Sequence, residues 1–388
     1  MGNMLIFNLL LRNVLRHKGR AILTLLGLVI ATLAFGLLST VVSAWYAGAE
    51  GASNARLITR NSISLVFPIP VSHAERIRQV DGVKSVSWAN WFGGVYKEPK
   101  NFFPQFAIEP ESYLAAYPEY ILRDEEQTAF IKDRRAAIVG RKIADTYGIK
   151  IGDMVTLKGQ LYPGNWEFQI AGIYEGRSPA TDTAQMLFHW NYLNEEAKRR
   201  NLPRAPNTTG VFIVEISEPT RAGEVSLQID SLFRNSAFET LTETEKAFQL
   251  GFVAMTEAIV LAIQIVSYVV IVIILAVMAN TMAMTARERT GEYATLKALG
   301  FSPLFVAGMI TGESLLLALI GGVTGMLLTF PIADWFGSSM GTVFRVFEVS
   351  RDTSLMQLFL ALLVGVFAAA VPAWNSSRIR IVEGLRAI

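Results

Sequence analysis

The chain has 388 residues, 52% of them hydrophobic, and a net charge of +2, which is too long and too apolar for one ordinary soluble domain. It has no cysteine, so disulfides are excluded in any compartment and folding rests on core packing.

Residues 1–20 mix apolar side chains with Arg12 and Arg16 one turn apart, which predicts an amphipathic helix in the inner membrane interface. A plain basic flank is the alternative. Ala21 to Trp45 carries no charge and is long enough for a first span at 21–45, since a span needs about 20 apolar residues. That run is too long for a signal-peptide core and lacks a convincing A-x-A site, so an uncleaved span is expected.

Residues 46–253 read as a large external domain. From Tyr46 to Glu257 there are 23 Lys plus Arg against 26 Asp plus Glu, a near balance that argues against a nucleic-acid surface. "ISLVFPIPVSHAERIRQVDGVKSVSWA" reads strand, helix, strand, with Ser72 and Glu75 as a capping box and Asp81-Gly82 as a turn. "GVFIVEISEPTRAGEVSLQIDSLFRNSAFETLTE" repeats that order, with Pro219 near its helix start. These units, at 46–101 and 205–253, are expected to form one split β-α-β subdomain around an inserted, mostly β subdomain at 102–204. In the insert a helix over Arg141–Tyr147 precedes Gly148, and a strand covers Met154 to Lys158. Trp88, Trp91, Phe92, Phe102, Phe103 and Trp166 are read mainly as core, with contact to a partner or lipid as the alternative. Asp124, Glu125 and Glu126 are read as a solvated face.

Spans two, three and four are expected at 254–285, 303–333 and 353–377, with a short external loop at 334–352 and a tail at 378–388. Between spans two and three lies "ARERTGEYATLKALGFSP". Arg287, Glu288, Arg289, Glu292 and Lys297 would each cost about 2.5–3.5 kcal/mol at a bilayer centre, so residues 286–302 form a loop outside it. Tyr293, Leu296 and Leu299 recur at i, i+3 and i+6, and Gly300 and Pro303 are stop signals, which predicts a small amphipathic helix. A solvated linker is the alternative. Basic residues in this loop, the first 20 residues and the tail place both termini in the cytoplasm and the large domain outside.

Glu313 lies well inside the third hydrophobic segment. Accepting hydrogen bonds from neighbouring helices is the preferred reading; binding substrate or protons is the alternative. Small residues at Thr311, Ser314, Ala318, Gly322, Gly325 and Thr329 form one face where a second helix approaches closely, and Gly308-x-x-x-Gly312 and Gly321-x-x-x-Gly325 add to it; a substrate path is the alternative. Catalytic signals are thin: the three histidines are scattered, and no HExxH, G-x-S-x-G or phosphate-loop pattern occurs. No catalytic, cofactor-binding or metal site is therefore expected on this chain.

The chain resembles the MacB/FtsX/LolC-type permeases of ABC transporters, of the mechanotransmission class. The resemblance is carried by "RNVLRHKGRAILTLLGLVIA", "VGRKIADTYGIKIGDMVTL", "ERTGEYATLKALG", "ESLLLALIGGVTG" and "PAWNSSRIRIVEGLR". It implies a fold of four transmembrane helices plus a large extracytoplasmic α+β domain of two subdomains. It also implies that residues 286–302 are a coupling helix docking on a cytoplasmic ABC ATPase dimer, through Arg287, Glu288, Arg289, Glu292, Tyr293, Leu296, Lys297, Leu299 and Gly300. Gly291 and Tyr293 depart from the usual residues of that motif. Glu313, Gly321, Gly322 and Gly325 match the third span, and Pro372, Arg378, Val382, Glu383 and Leu385 the tail. ATP and magnesium would sit on a separate subunit. A second permease copy is implied, with a periplasmic adaptor and outer-membrane conduit in some relatives, in a bacterial inner membrane. Export or extraction of a hydrophobic or amphipathic substrate is the expected function; an FtsX-like regulator of an external enzyme or sensor is the alternative.

Overall fold

The computed structural model describes residues 16, 18–99, 101–178, 181–202, 206–339 and 347–381. They fall into a helical unit, built from segments up to 43, from 257 to 339 and from 347 onward, and an α+β unit at 44–256. The expected helix over 1–20 and the tail residues Val382, Glu383 and Leu385 lie outside the described residues, apart from Arg16 and 18–20.

The first helix is α1 (Lys18–Glu50). Then β1 (Arg56–Asn61), β2 (Ile69–Pro70), α2 (His73–Arg78) and β3 (Val83–Trp91) lead into an insert. The insert comprises β4 (Gly94–Tyr96), β5 (Gln105–Ile108), α3 (Pro110–Ala116), β6 (Tyr120–Ile121), α4 (Asp124–Lys132), β7 (Ala136–Gly140), α5 (Arg141–Tyr147), β8 (Met154–Gly159), β9 (Gly164–Gly176), β10 (Met186–His189) and α6 (Trp190–Arg199). The chain returns through β11 (Thr208–Thr209), β12 (Val211–Ile216), α7 (Ala222–Phe233), β13 (Thr240–Thr244) and α8 (Glu245–Met255).

Strands β13-β1-β12-β3 form an antiparallel sheet in which the two β-α-β halves interleave. The first half's sheet strand is β1, ahead of the stretch expected to form it: in ISLVFPIP only Ile69–Pro70 is strand, and it pairs with β11 outside this sheet, because Pro68 and Pro70 withhold backbone N–H donors. Its core joins sheet residues Leu57, Phe212 and Val214 to Ile77 of α2 and Val225, Ile229 and Phe233 of α7. The edge strand β13 is blocked by Asp230 of α7, which accepts the Thr242 N–H at 3.0 Å and the Thr240 and Thr242 hydroxyls at 2.9 and 2.7 Å. The Ser72–Glu75 capping box does not form. Ala74 N–H already bonds Val71 C=O, which leaves Ser72 helical rather than extended, and Glu75 pairs with Arg78 instead.

The insert is not a separate, mostly β body. Its strands extend the same sheet through the β3–β5 pairing, in the order β5-β10-β7-β9-β8-β4, and four helices accompany them. This part curls until Gln105 of β5 reaches Gly94 of β4: the Gly94 N–H donates to Oε1 at 2.7 Å and Nε2 donates to the Gly94 carbonyl at 3.0 Å. Phe92, Phe103 and Trp166 lie in its core, whereas Trp91 and Phe102 are exposed with ring centroids 6.0 Å apart. Glu126 is buried on the inner face of α4 and paired with Arg123, unlike exposed Asp124 and Glu125.

The helical unit continues with α9 (Glu257–Glu288), α10 (Thr290–Ala298), α11 (Pro303–Ser339) and α12 (Arg351–Ser377). Helices α1, α9, α11 and α12 are long and apolar enough to cross a membrane. Leu28 and Ala31, Ile274 and Met278, Leu317 and Ala318, and Val364 and Ala368 meet in their common core. Small residues on α11 serve two neighbours rather than one. A Cβ on Gly321 would stand 2.6 Å from Leu28 Cβ of α1, and one on Gly325 2.8 Å from the Val29 carbonyl. One on Gly322 would stand 2.5 Å from Ala361 Cβ of α12, and one on Gly365 of α12 2.8 Å from Ala318 Cβ.

Candidate functional site

The charged stretch between α9 and α11 is where the helical unit gathers its ionisable side chains. Helix α9 runs to Glu288, Arg289 breaks it, and α10 follows. Helix α10 ends as its sequence requires: Gly300 takes φ +93, its N–H bonds Lys297 C=O, and Phe301 N–H bonds Leu296 C=O.

Arg289 is the hub. It is 8% exposed, and its Nη1 donates to both oxygens of Glu313 at 3.0 Å while Nε donates to Glu292 at 2.9 Å. Its guanidinium lies 5.3 Å from the Tyr293 ring centroid. Glu313, 3% exposed, is thus a paired carboxylate that anchors the loop to α11. Glu292 also receives Arg16, and Arg20 grips Glu288 through two bonds of 2.8 Å. Lys297 Nζ donates to the Ser377 and Ile379 carbonyls at the end of α12, at 2.6 and 2.9 Å. The loop is therefore tied to the start of α1, to α11 and to the end of α12.

Electrostatics follow from these partners. Burial pushes the Glu292 carboxyl up, but hydrogen bonds from Arg289 and Arg16 outweigh it and hold the group below its ordinary value. Burial pushes the Tyr293 phenol up to about 12, so it stays neutral at physiological pH.

The residues expected to dock a partner divide into two sets. Tyr293 is 1% exposed and packs with Val306, Ile310, Ala369 and Ala373, and Leu296 lies against the same cluster. Arg289 and Lys297 are turned inward, and Glu288 and Glu292 are held by arginines at the surface. Arg287 is exposed, and Leu299 at 72% exposure projects beside Gly300. Phe301 and Leu304, which sequence reasoning passed over, are also exposed, with Phe301 stacked on Phe305 at 4.8 Å. The roles of Arg16 and Arg20 were missed as well. Their four-residue spacing matches that of Glu288 and Glu292, which was the available signal.

Four span-length helices among the described residues, with an α+β domain built on one mixed sheet, define the permease class of ABC transporters that the loop and tail resemble. The MacB-like periplasmic core domain model matches residues 21–232, more than half of the chain, and the FtsX-like permease C-terminal model matches residues 264–381. The chain belongs to the MacB-like periplasmic core domain family and is an ABC transporter permease of the MacB/FtsX type. It is 24% identical to an uncharacterized ABC transporter permease of Methanocaldococcus jannaschii, over 97% of this chain and 96% of that one. It is 29% identical to the macrolide export ATP-binding/permease protein MacB of Psychrobacter cryohalolentis, over 27% of this chain and 16% of that protein. The periplasmic region of MacB from Actinobacillus actinomycetemcomitans aligns with 52% of this chain and 94% of its own length, at 11% identity and a TM-score of 0.36.

Proposed function

We propose that this permease passes ATP-driven movement from a cytoplasmic ATPase dimer to its external domain, and that the stroke exports or extracts a hydrophobic or amphipathic substrate. Two permease copies work together, with both termini in the cytoplasm; ATP and magnesium belong to the ATPase. The observation that carries this reading is the division within the charged loop. Its inward residues are fastened to α1, α11 and α12, so a push on the loop reaches three helices. Its outward residues Leu299, Phe301 and Leu304, which follow α10, are exposed and apolar, suited to a groove on a partner, and Arg287 is exposed at the other end of α10. Arg289, Tyr293, Leu296 and Lys297 then position the loop, and Leu299 with its neighbours makes the contact.

Co-purification with candidate ATPases from the same cell tests this. Leu299→Asp with Phe301→Asp is expected to abolish the complex while the permease remains folded. An ATPase that binds the double variant as well as the unsubstituted chain contradicts the assignment.

A further inference from the structure

The α+β unit contains a second buried ionic cluster, at the point where its chain begins and ends. Arg56 opens β1 a few residues after α1, and Glu245 opens α8 shortly before α9. Arg56 is 7% exposed and Glu245 6%. Arg56 Nε donates to Glu245 at 2.8 Å, Nη2 donates to Glu119 at 2.6 Å, and Nη1 donates to Glu119 at 3.2 Å and to the Ala116 carbonyl at 3.0 Å. Its guanidinium lies 4.2 Å from the Tyr117 ring centroid. Glu245 closes the circle: Oε2 also accepts the Ser53 N–H at 3.0 Å, and Oε1 accepts the Tyr117 hydroxyl at 3.0 Å.

Three segments distant in sequence thus share one set of bonds: the incoming root at 53–56, the outgoing root at 245, and the end of α3 in the insert at 116–119. The backbone joins the insert to the split half along a short seam, Ala89↔Ile108, Asn90↔Ala107 and Trp91↔Phe106. The seam is not the whole attachment: Ile58, Ala89 and Ile213 of the split half share a buried core with Tyr113, Leu114 and Tyr117 of the insert, and Trp190 Nε1 donates to the Thr208 carbonyl at 3.1 Å. To this non-directional packing the ionic cluster adds bonds of fixed direction from both roots. Tyrosine rings extend the attachment into the insert, with Tyr117 stacked on Tyr120 at 5.4 Å and Tyr120 against Tyr174 of β9 at 4.8 Å. Tyr174 in turn donates its hydroxyl to the Asp182 and Gln185 carbonyls at 3.0 and 3.2 Å. Desolvating three charges is costly, and well-packed apolar residues would serve stability alone at least as well. A directional junction is what the charges add.

We propose that the Arg56–Glu119–Glu245 cluster is a strut that locks the insert to both roots of the external domain, so that roots, split half and insert move as one body. Its use in transport rests on the proposed function; the rigidity is a property of this chain alone. The absence of native cysteine allows Gln160→Cys on the insert and Leu227→Cys on α7, both exposed, to be spin-labelled specifically in the full-length chain in lipid nanodiscs. One narrow distance distribution is expected, at least twofold broader in Arg56→Met and in Glu119→Gln with circular dichroism unchanged. An unchanged width in the folded variants overturns the proposal. If Arg56→Met does not fold, Glu119→Gln decides, because it keeps the Arg56–Glu245 bond and the side-chain shape. With ATPase and a non-hydrolysable nucleotide added, the doubly labelled chain with Arg56 and Glu119 intact is expected to keep its width, and a second distance peak overturns the one-body behaviour. Failure of any ATPase to bind contradicts the proposed function and leaves the width comparison standing.

Discussion

The helical unit and the α+β unit use the same device in different settings. Each places one arginine between two glutamates over a tyrosine ring: Arg289 with Glu292, Glu313 and Tyr293, and Arg56 with Glu119, Glu245 and Tyr117. Around Arg289 the network opens to the surface, because Glu292 is 42% exposed and meets the exposed Arg16. Around Arg56 it is more enclosed, and even its outer carboxylate, Glu119, is 25% exposed. One cluster therefore reaches the surface of its unit, where the proposed partner would meet it, whereas the other is enclosed within a single domain.

The largest expected effect comes from breaking either hub. Arg289→Met leaves Glu313 buried without its partner and should cost about 3–5 kcal/mol, and Arg56→Met should cost a similar amount through Glu245. Melting in detergent checks both. Pairing Arg289→Met with Glu313→Leu should restore most of the loss, since the uncompensated charge is gone. Next in size is overpacking at α11: Gly322→Val must displace Ala361 of α12 and should cost about 1–3 kcal/mol, seen as a lower melting temperature.

Acid should then separate the two units. Burial pushes His73 and His189 below their ordinary value of 6.5, and His189 Nε2 bonds the Phe130 carbonyl at 2.6 Å. The unfolded chain therefore binds protons more readily than the folded one, so their contribution is full above pH 6.5 and is lost as pH falls through the lowered values. Glu292 also has a depressed value, but its contribution is kept above about 4.5 and is lost only below it. The α+β unit should weaken first on acidification, which hydrogen exchange measured from pH 7.5 to 5.0 resolves. The smallest effect is expected for Glu288→Gln, where loss of the partly exposed Arg20 pair should cost about 0.5 kcal/mol or less.

The four span-length helices, the helix and second strand of each β-α-β unit and the Gly300 stop were legible because each follows from a local cost or a short period. The first strand, Arg56–Asn61, was not, because its alternation is short and the apolar run after it drew the assignment. Charge expelled 286–302 from the bilayer, but charge alone did not reveal that Arg289 would find Glu313 across the loop and turn inward. The stripe of Tyr293, Leu296 and Leu299 was read as one face. In the structure Tyr293 and Leu296 pack on the bundle while Leu299 projects outward, because Gly300 redirects the chain immediately after it. Glu126 was misread for the same reason as Arg289: a run of acids shows its charge and hides which member faces the core.

The most direct test of the account places a single cysteine at Leu299 or at Tyr293 and exposes each permease–ATPase complex to a short thiol-reactive cross-linker. Cross-linking from Leu299→Cys and none from Tyr293→Cys is the predicted result. Cross-linking from Tyr293→Cys alone, or from neither position in an intact complex, would contradict the division between an inward anchor and an outward tip.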